Sequence, residues 1–527
     1  MQKASVFMNI FEIIKLLLLP ILLFSSPFKV ATYNVQNLFD MKKSGLEYKE
    51  YTPYEHNWTH ATLDIKLNHI ADVLCDMDAQ IVALQEVENQ NILNQLIKKL
   101  NRVGCIYPYS AITHNKHSTI QVALLSRYKL TNIKELAIKA ELRDRPILEA
   151  TALIEGVYPL ILFVNHWKAK SRNGVESRRI EYAKQLIKRI NSLSPEQEYI
   201  ILGDLNTQHN EYQTQNQKFN DTNGIIGINH ILKTLYNNQL VDEELITKGL
   251  QGIHYNLWLE LLSSQRWSHQ FYAHKSSLDH ILLPTQLFDS KGVDYVNNSF
   301  AVFKPRYLFN NFWWINRWIY SENSHKGIGY SDHLPLYALF DTRPFIKQKA
   351  KSTSLSTIDK LYKVEKIEEF IELKNVVVLL QRGKYTVIKQ SPTTRAIVVY
   401  NSSQKLEEGG VYDITIDEVS SYKGLKEIIG VTKSQKVKTT QLKEYYLHSQ
   451  NLDYQNPLLQ NEVFINLEGT YKEGYFYTNT QKIPLYFKRK KLTPKNGTQP
   501  EILYAHLGYY RKPQLVIYDQ KDFILEN

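Results

Sequence analysis

Cysteine is nearly absent. Two residues in 527, Cys75 and Cys105, exclude a disulfide-dense scaffold and a thiolate zinc cluster. Each sits in an apolar context (ADVLCDMDA, NRVGCIYPY) and reads as a core thiol rather than half of a bridge. Long apolar runs are equally scarce: there is one, at the N-terminus, which excludes a polytopic membrane protein. Low-complexity tracts and short fixed-period repeats are missing too. What remains is ordinary globular usage, 43% apolar and 22% charged, too balanced for wholesale disorder, collagen or coiled coil. At about 150 residues per domain the length allows two to four domains. Acidic side chains are outnumbered 53 to 64, for a net charge of +11. A solvated surface accounts for that excess as well as a phosphate-bearing partner does.

Residues 1–26 read as a signal peptide or N-terminal anchor. Phe7 to Phe24 is apolar apart from Asn9, Glu12, Lys15 and Pro20, and its densest stretch, Leu16 to Phe24, suits a signal-peptide core better than a spanning helix. Ser25-Ser26 offers small residues for cleavage, whereas Phe24 and Pro27 make a poor peptidase site, so an uncleaved anchor stays open. Either way the body is expected to be exported: periplasmic, secreted, or held on the outer face of a bacterial inner membrane through this segment.

From residue 28 to 341 strand-like runs alternate with helical ones. FKVATYN, AQIVALQEV, TIQVALLS, YPLILFVNHW, EYIILGDLN and LDHILL are rich in Val, Ile, Leu and aromatics. Leu63 to Met77, Ile92 to Leu100 and Glu176 to Leu193 carry apolar residues at helical spacing. That alternation predicts one layered α/β domain. Residues 342–360 read as a linker. Strand-like segments then dominate 361–448 (NVVVLLQ, KYTVIKQ, RAIVVYN, VYDITIDEV, LKEIIGV) and again 461–527, each with the size of a small all-β barrel. Residues 351–527 hold 26 basic and 20 acidic side chains, so over half of the net charge lies in the last third.

Polar residues stand at the ends of these apolar strands: Asn34 after FKVATY, Glu86 after IVALQ, His166 after LILFVN, and Asp204 and Asn206 around YIILGDLN. Asp279-His280 precedes ILL, and Asp332-His333 precedes LPLYALF. Singly, each is explained as a turn or cap residue. Together, several hard oxygen donors and two histidines at strand ends of one domain suit a Mg²⁺ or Mn²⁺ ion that also binds a substrate phosphate. A histidine paired with a carboxylate can deprotonate water, which points to phosphoester hydrolysis by in-line attack.

ATYNVQNLF, IVALQEVEN, VNHWKAK, ILGDLNT, LDHILL and GYSDHLPL, in that order, resemble the motifs of the endonuclease/exonuclease/phosphatase superfamily. The resemblance implies a four-layered DNase I-like α/β sandwich over residues 28–341, about 60% of the chain. It implies that Asn34, Glu86 and Asp332 serve the metal, with Glu86 the principal ligand. His166 would bind the scissile phosphate or protonate the leaving oxygen, and Asp204 and Asn206 would orient nucleophile and phosphate. Asp279 would pair with His333, the general base.

Arg143 and Arg145 in ELRDRPILEA, and Arg178 with its neighbours Arg172 and Arg179, are candidate phosphate-binding residues; a solvated turn and helix face are the alternative. RYLFNNFWWINRWIY, Arg306 to Tyr320, reads first as a core segment under a long loop, with a base-stacking platform or a membrane-interface patch as the other readings. VYDITIDEVSSYKGLKEIIGV resembles the OB-fold modules appended to secreted bacterial nucleases. Lysines 423, 426, 433, 436 and 438, with Tyr412 and Tyr422, would suit a groove following a phosphate backbone. The expected function is therefore an exported, divalent-metal-dependent nuclease acting on nucleic acid, DNA ahead of RNA. The alternatives are a phospholipid or inositol-phosphate phosphodiesterase of the same fold, and a binding protein whose catalytic domain is a relic.

Overall fold

The strand-like runs of the first 341 residues pair into two sheets that face each other. The structure, a computed structural model, describes residues 26–138, 141–170, 175–216, 220–347, 354–402, 404–448 and 451–525; the apolar N-terminal segment lies outside them. Eight strands carry the argument: β1 (Phe28–Leu38), β2 (Ile81–Val87), β3 (Tyr109–Ile112), β4 (Gln121–Ser126), β5 (Lys129–Leu136), β6 (Ile147–Ile154), β7 (Tyr158–His166) and β8 (Tyr199–Asp204). The first sheet runs Asp294–Tyr295, Leu336–Asp341, β1, β2, β4, β3; the second runs Tyr255–Asn256, Asp279–Leu283, β8, β7, β6, β5. Both follow the same series of pairings: antiparallel, antiparallel, parallel, antiparallel, antiparallel. The two sheets thus share one series of pairing senses, although the chain visits their strands in a different order.

Helices flank these sheets. His60–Met77, capped by Thr59 accepting from the Thr62 amide, and Gln90–Arg102, capped by Asn89, bury one stripe each. Glu176–Ile190 lays Tyr182, Ala183 and Leu186 against Ile161, Phe163, Tyr199 and Ile201 on the outer face of the second sheet. The alternation of strand side chains therefore turns Leu162, Val164 and His166 of β7, and Leu202 and Asp204 of β8, toward the facing sheet. This is the layered α/β sandwich expected from the alternating pattern. Cys75 is half-buried and Cys105 buried, both as free thiols, and burial pushes the Cys75 thiol up. Among the described residues no helix is long and apolar enough to cross a membrane.

The chain divides into two compact units, residues 1–257 with 268–346, and residues 258–267 with 347–527. In the second unit Asp417, buried at the barrel wall, accepts hydrogen bonds from Ser263 N (2.9 Å), Ser263 Oγ (2.8 Å) and Arg266 Nη2 (3.1 Å). Its first five long strands, Ile371–Arg382, Tyr385–Lys389, Ala396–Tyr400, Gly410–Tyr422 and Leu425–Thr439, close into a barrel in the order first, second, third, fifth, fourth, first. The third and fifth are parallel. Residues 463–525 repeat that order. Val463–Leu467 and Thr470–Lys472 act as one broken first strand, followed by Tyr475–Tyr477, Lys482–Phe487, Pro500–Tyr509 and Pro513–Ile517, again with third and fifth parallel. Val463, Val516 and Tyr518 share a core with Val377, Leu379 and Val398 of the preceding barrel.

Gly203 shows how tightly the second sheet is built around its polar end. Its φ is +127°, and a Cβ there would run into the backbone oxygen of Asn165 on β7. Gly203→Ala is expected to destabilise the protein by about 3 kcal/mol, read as a shift in urea midpoint, because it adds backbone strain to a clash that no side chain can relieve.

Candidate active site

Strand register assembles the site. In the parallel pair β7–β8 His166 is the partner of Asp204, and in the antiparallel pair on the other side of β8 Asp204 is the partner of Asp279. Three ionisable side chains therefore form one row across three hydrogen-bonded strands, all of them buried. His333 joins the row from the loop before Leu336–Asp341. Its Nδ1 lies 2.8 Å from Asp279 Oδ2 and its Nε2 3.9 Å from Asp204 Oδ2. Asp279 Oδ2 also accepts from Ser268 Oγ at 2.5 Å, and Ser331 Oγ accepts from the His333 amide at 3.1 Å while donating to Asn34 O at 2.7 Å.

The facing sheet adds Asn34 and Glu86. Both depart from regular strand geometry: the β1–β2 register shifts between Asn34 and Leu38, and the β2–β4 register shifts between Gln85 and Val87. Gln36, Asn37 and Glu86 all have positive φ (51°, 60° and 67°), as does Asn206 (51°) on the opposite side of the site. Such bulges and left-handed residues re-aim side chains at the cost of local strain. Here they turn Glu86 toward Asn34, whose Nδ2 donates to Glu86 Oε1 (2.9 Å) and to Asp204 Oδ2 (3.1 Å). Glu86 Oε2 accepts from the Asn37 amide at 2.8 Å. Asn34 thus braces two carboxylates with its amide nitrogen, and its oxygen accepts from the Gln36 amide at 3.0 Å. His166 Nε2 stands 3.9 Å from Glu86 Oε1 and 3.6 Å from Asp204 Oδ2, and its Nδ1 is buried without a hydrogen-bond partner.

Protonation follows from burial and neighbours. Burial, reinforced by the Asp332 charge, pushes the Glu86 carboxyl up. Burial pushes Asp204 up to about 7, against the opposing pull of His333. Burial depresses His166 well below the usual histidine range, helped by the charges of Arg145 and His333. Burial alone would depress His333 as well; Asp279, by charge and hydrogen bond, and Asp204 and Asp332 by charge, outweigh it and hold the ring protonated. Asp279 is lowered for the reciprocal reason, His333 overcoming its burial.

Three donor sets emerge, one of them the Asp204–Asp279–His333 row itself. Glu86, His166 and Asp204 bring ligand atoms within 4.8 Å of one another, and so do His269, Asp332 and His333. Asp332, expected beside Glu86, stands with the two histidines, although its charge is felt at Glu86. Asn206 binds Asp204 Oδ1 through its amide (2.8 Å) and Trp167 O through its side chain (3.1 Å), fixing the turn after β8.

The arginines separate. Arg145, half-buried, donates to His166 O (2.9 Å) and Trp167 O (2.6 Å) and so holds the backbone that carries His166. Arg178 is engaged by Asp144 and by Glu141 (2.9 Å), Arg179 by Glu176 (2.6 Å), and Arg143 is exposed. Arg172 lies outside the described residues. In the tail Tyr412 is buried in the barrel core, Lys426 is buried and donates to Val364 O, and Lys436 pairs with Glu407 (2.9 Å). Tyr412 and Lys426 are therefore not groove residues; Lys436 and Tyr422 are exposed.

The structure also adds residues. Lys66 is fully buried, with Nζ 4.7 Å from the Trp318 ring centre and no hydrogen-bond partner. Burial lowers it to about 7 against the attraction of Asp332 and Glu86. Its signal in the sequence is a lysine on the apolar stripe Leu63, Lys66, Leu67, Ile70. Ser268, Ser331 and His269, whose ring centre lies 4.7 Å from that of His333, give no signal until the fold brings them together.

A family model described as "Endonuclease/Exonuclease/phosphatase family" matches residues 29–342. No curated protein matches the chain. Among solved structures, a humanized D. rerio TDP2 is 14% identical, covering 60% of this chain and 98% of its own, with a TM-score of 0.37. An endonuclease/exonuclease/phosphatase family protein from Bacteroides thetaiotaomicron is 13% identical (60% and 98% covered, TM-score 0.36). An AP endonuclease from Archaeoglobus fulgidus is 15% identical (59% and 99% covered, TM-score 0.36).

Removing Arg178 leaves the buried Asp144 carboxylate without its main partner. Arg178→Ala is expected to cost about 3 kcal/mol of stability in thermal unfolding, and Arg143→Ala less than about 0.5 kcal/mol.

Proposed function

Because the chain belongs to the endonuclease/exonuclease/phosphatase family, we propose that it is a divalent-metal-dependent phosphodiesterase that hydrolyses nucleic acid, DNA ahead of RNA. The observation that carries the reading is the single cluster in which half-buried Glu86 meets buried Asp204, His166, His333 and Asp279. Glu86 and Asp204 are pushed up by burial, the Asn34 amide between them is neutral, and the charge of His333 offsets their burial only in part. That donor set fits a hard cation of the Mg²⁺ or Mn²⁺ class, which Glu86 would hold, with Asp204 and His166 beside it. Bound there, the ion supplies Lewis acidity for a phosphoryl oxygen.

The side chains divide the remaining work. Asp279 keeps His333 charged and orients its ring, leaving Nε2–H to meet negative charge on the phosphate or the departing oxygen. Asp204, the carboxylate poised nearest neutrality, takes the proton of the attacking water, and Asn206 holds its orientation. This exchanges the base role expected of His333 for that of a proton-holding electrophile. His166, kept neutral and anchored through Arg145, contacts the phosphate by a hydrogen bond rather than by charge.

A polynucleotide substrate is supported by the net charge of +11. It is supported too by two tail barrels of strand order first, second, third, fifth, fourth, with a parallel third–fifth pair, the arrangement of OB-like modules. Export rests on the apolar run at residues 7–24. Purified protein should cleave DNA with Mg²⁺ or Mn²⁺ and lose that activity in EDTA. Intact DNA and RNA, with release of head groups from phospholipid or of phosphate from inositol phosphates, would sink the reading. His333→Ala should lower kcat about 10³-fold.

The pH profile follows from the shifts. His333 must be protonated, so activity falls as pH passes its raised pKa. Asp279→Asn removes the charge that raises His333, burial then pulls that ring down, and the alkaline limb of kcat/KM should move to lower pH. An unmoved limb would remove His333 from the acid role.

A further inference from the structure

The loop from Arg306 to Tyr320 forms the core segment its composition suggests only in part, with Phe309 and Trp318 buried. Its aliphatic residues turn inward, Leu308 at 1% and Ile315 at 7% exposure, while Phe312, Trp313 and Trp314 stand out at 83%, 65% and 48%. The loop is rigid. Asn310 Oδ1 accepts from the amides of Phe312 (2.9 Å) and Trp314 (3.1 Å), and Arg306 Nη1 donates to Phe309 O (2.6 Å) and Asn310 O (3.1 Å). The Arg306 guanidinium lies 4.7 Å from the Trp313 ring centre. Rings held this way lose little further freedom on meeting a ligand.

The loop is fastened to the active site at two points. Gln36, two residues beyond Asn34, exchanges hydrogen bonds with the Trp318 backbone (Nε2 to O 3.3 Å, N to Oε1 3.0 Å). Gln270, next to His269, accepts from the Ile315 amide at 3.1 Å. Beyond Gln270 the hairpin His269–Phe271/His274–Ser276 exposes Phe271 (55%) and Tyr272 (68%) at its turn. Residues 268–278 and 295–321 contain four cations, Lys275, Lys304, Arg306 and Arg317, and no Asp or Glu.

We propose that this loop, with the neighbouring hairpin turn, is a stacking platform for the unpaired bases of a single-stranded polynucleotide whose backbone continues to the active site. Three adjacent planar rings are presented while the neighbouring Leu308 and Ile315 are withdrawn, and the loop and hairpin themselves carry cations and Asn amides, with Asp76 held on the Tyr307 hydroxyl at the loop's start. That selects π-faces on a polyanion rather than bulk apolar volume. In a duplex the base faces are stacked on one another, so the platform discriminates against paired strands. The proposal rests on the polynucleotide reading above and supplies its strand preference.

The test uses the full-length protein. In EDTA, the affinity for a fluorescein-labelled oligothymidylate of about 20 nucleotides should fall at least about tenfold in the Trp313→Ala/Trp314→Ala double variant, whereas affinity for the same strand in duplex form changes less than about twofold. Trp313→Phe/Trp314→Phe should keep most of the single-strand affinity, and hydrolysis of bis(4-nitrophenyl) phosphate should be unchanged in both variants. Equal losses on single strand and duplex, or no loss on either, would overturn the platform. So would unchanged oligonucleotide binding together with loss of sedimentation with phosphatidylglycerol vesicles, which would make the loop a membrane anchor. If the wild-type protein hydrolyses no polynucleotide with Mg²⁺ or Mn²⁺, the functional reading falls by that result alone. A platform that fails while duplex DNA is still cleaved leaves that reading standing.

Discussion

Two carboxylates, half-buried Glu86 and buried Asp204, lie within reach of the same amide nitrogen, and the rest of the site follows from making that tolerable. Burial disfavours their charged forms, and like charges in one site disfavour them further. Asn34 donates to both, the Asn37 and Asn206 amides donate to one each, and His333 carries the compensating positive charge. None of these is a full counter-ion lying between the two oxygens. The cluster therefore remains electrostatically unfinished even with His333 charged, which is the condition a metal-assisted hydrolase exploits.

The backbone bears the cost of this arrangement. Glu86 sits at a bulge with positive φ, Gln36 and Asn37 adopt the same left-handed region, and Asp204 follows a glycine that no other residue can replace without striking β7. Strain of this kind persists only where surrounding structure over-determines it. Here the determinants are two sheets packed face to face and three strands whose register admits no slip, since moving one residue would send His166, Asp204 and Asp279 to the opposite face. The same rigidity extends outward through Gln36 and Gln270 to the aromatic loop, so the exposed rings are placed by the site's own scaffold.

The second unit repeats a solution rather than a sequence. Its two barrels share strand order and a parallel closing pair although their strands differ in length and composition. Closure removes free sheet edges, which a positively charged β-rich tail would otherwise expose to pairing with other chains. Burying Tyr412 and Lys426 in the first barrel shows how little a list of lysines and tyrosines says about a binding groove.

The sequence by itself determined the local facts. Alternating apolar patterns named the strands β1, β2, β4, β7 and β8, helical spacing named the three helices, and six ordered motifs identified the family. Asn34, Glu86, His166, Asp204, Asp279 and His333 were legible because each stands at the end of such a strand or beside one. Only tertiary structure could decide what depends on neighbours far along the chain. Asn34 braces carboxylates, Asp332 stands with His269, and Arg178 is spent on Asp144 and Glu141. Charge and burial come from residues tens to hundreds of positions away, so the protonated state of His333 and the depressed Lys66 have no local signature. The exposed Phe312-Trp313-Trp314 looks like core in sequence for the same reason. Composition records that a side chain is apolar, whereas only packing decides whether anything covers it.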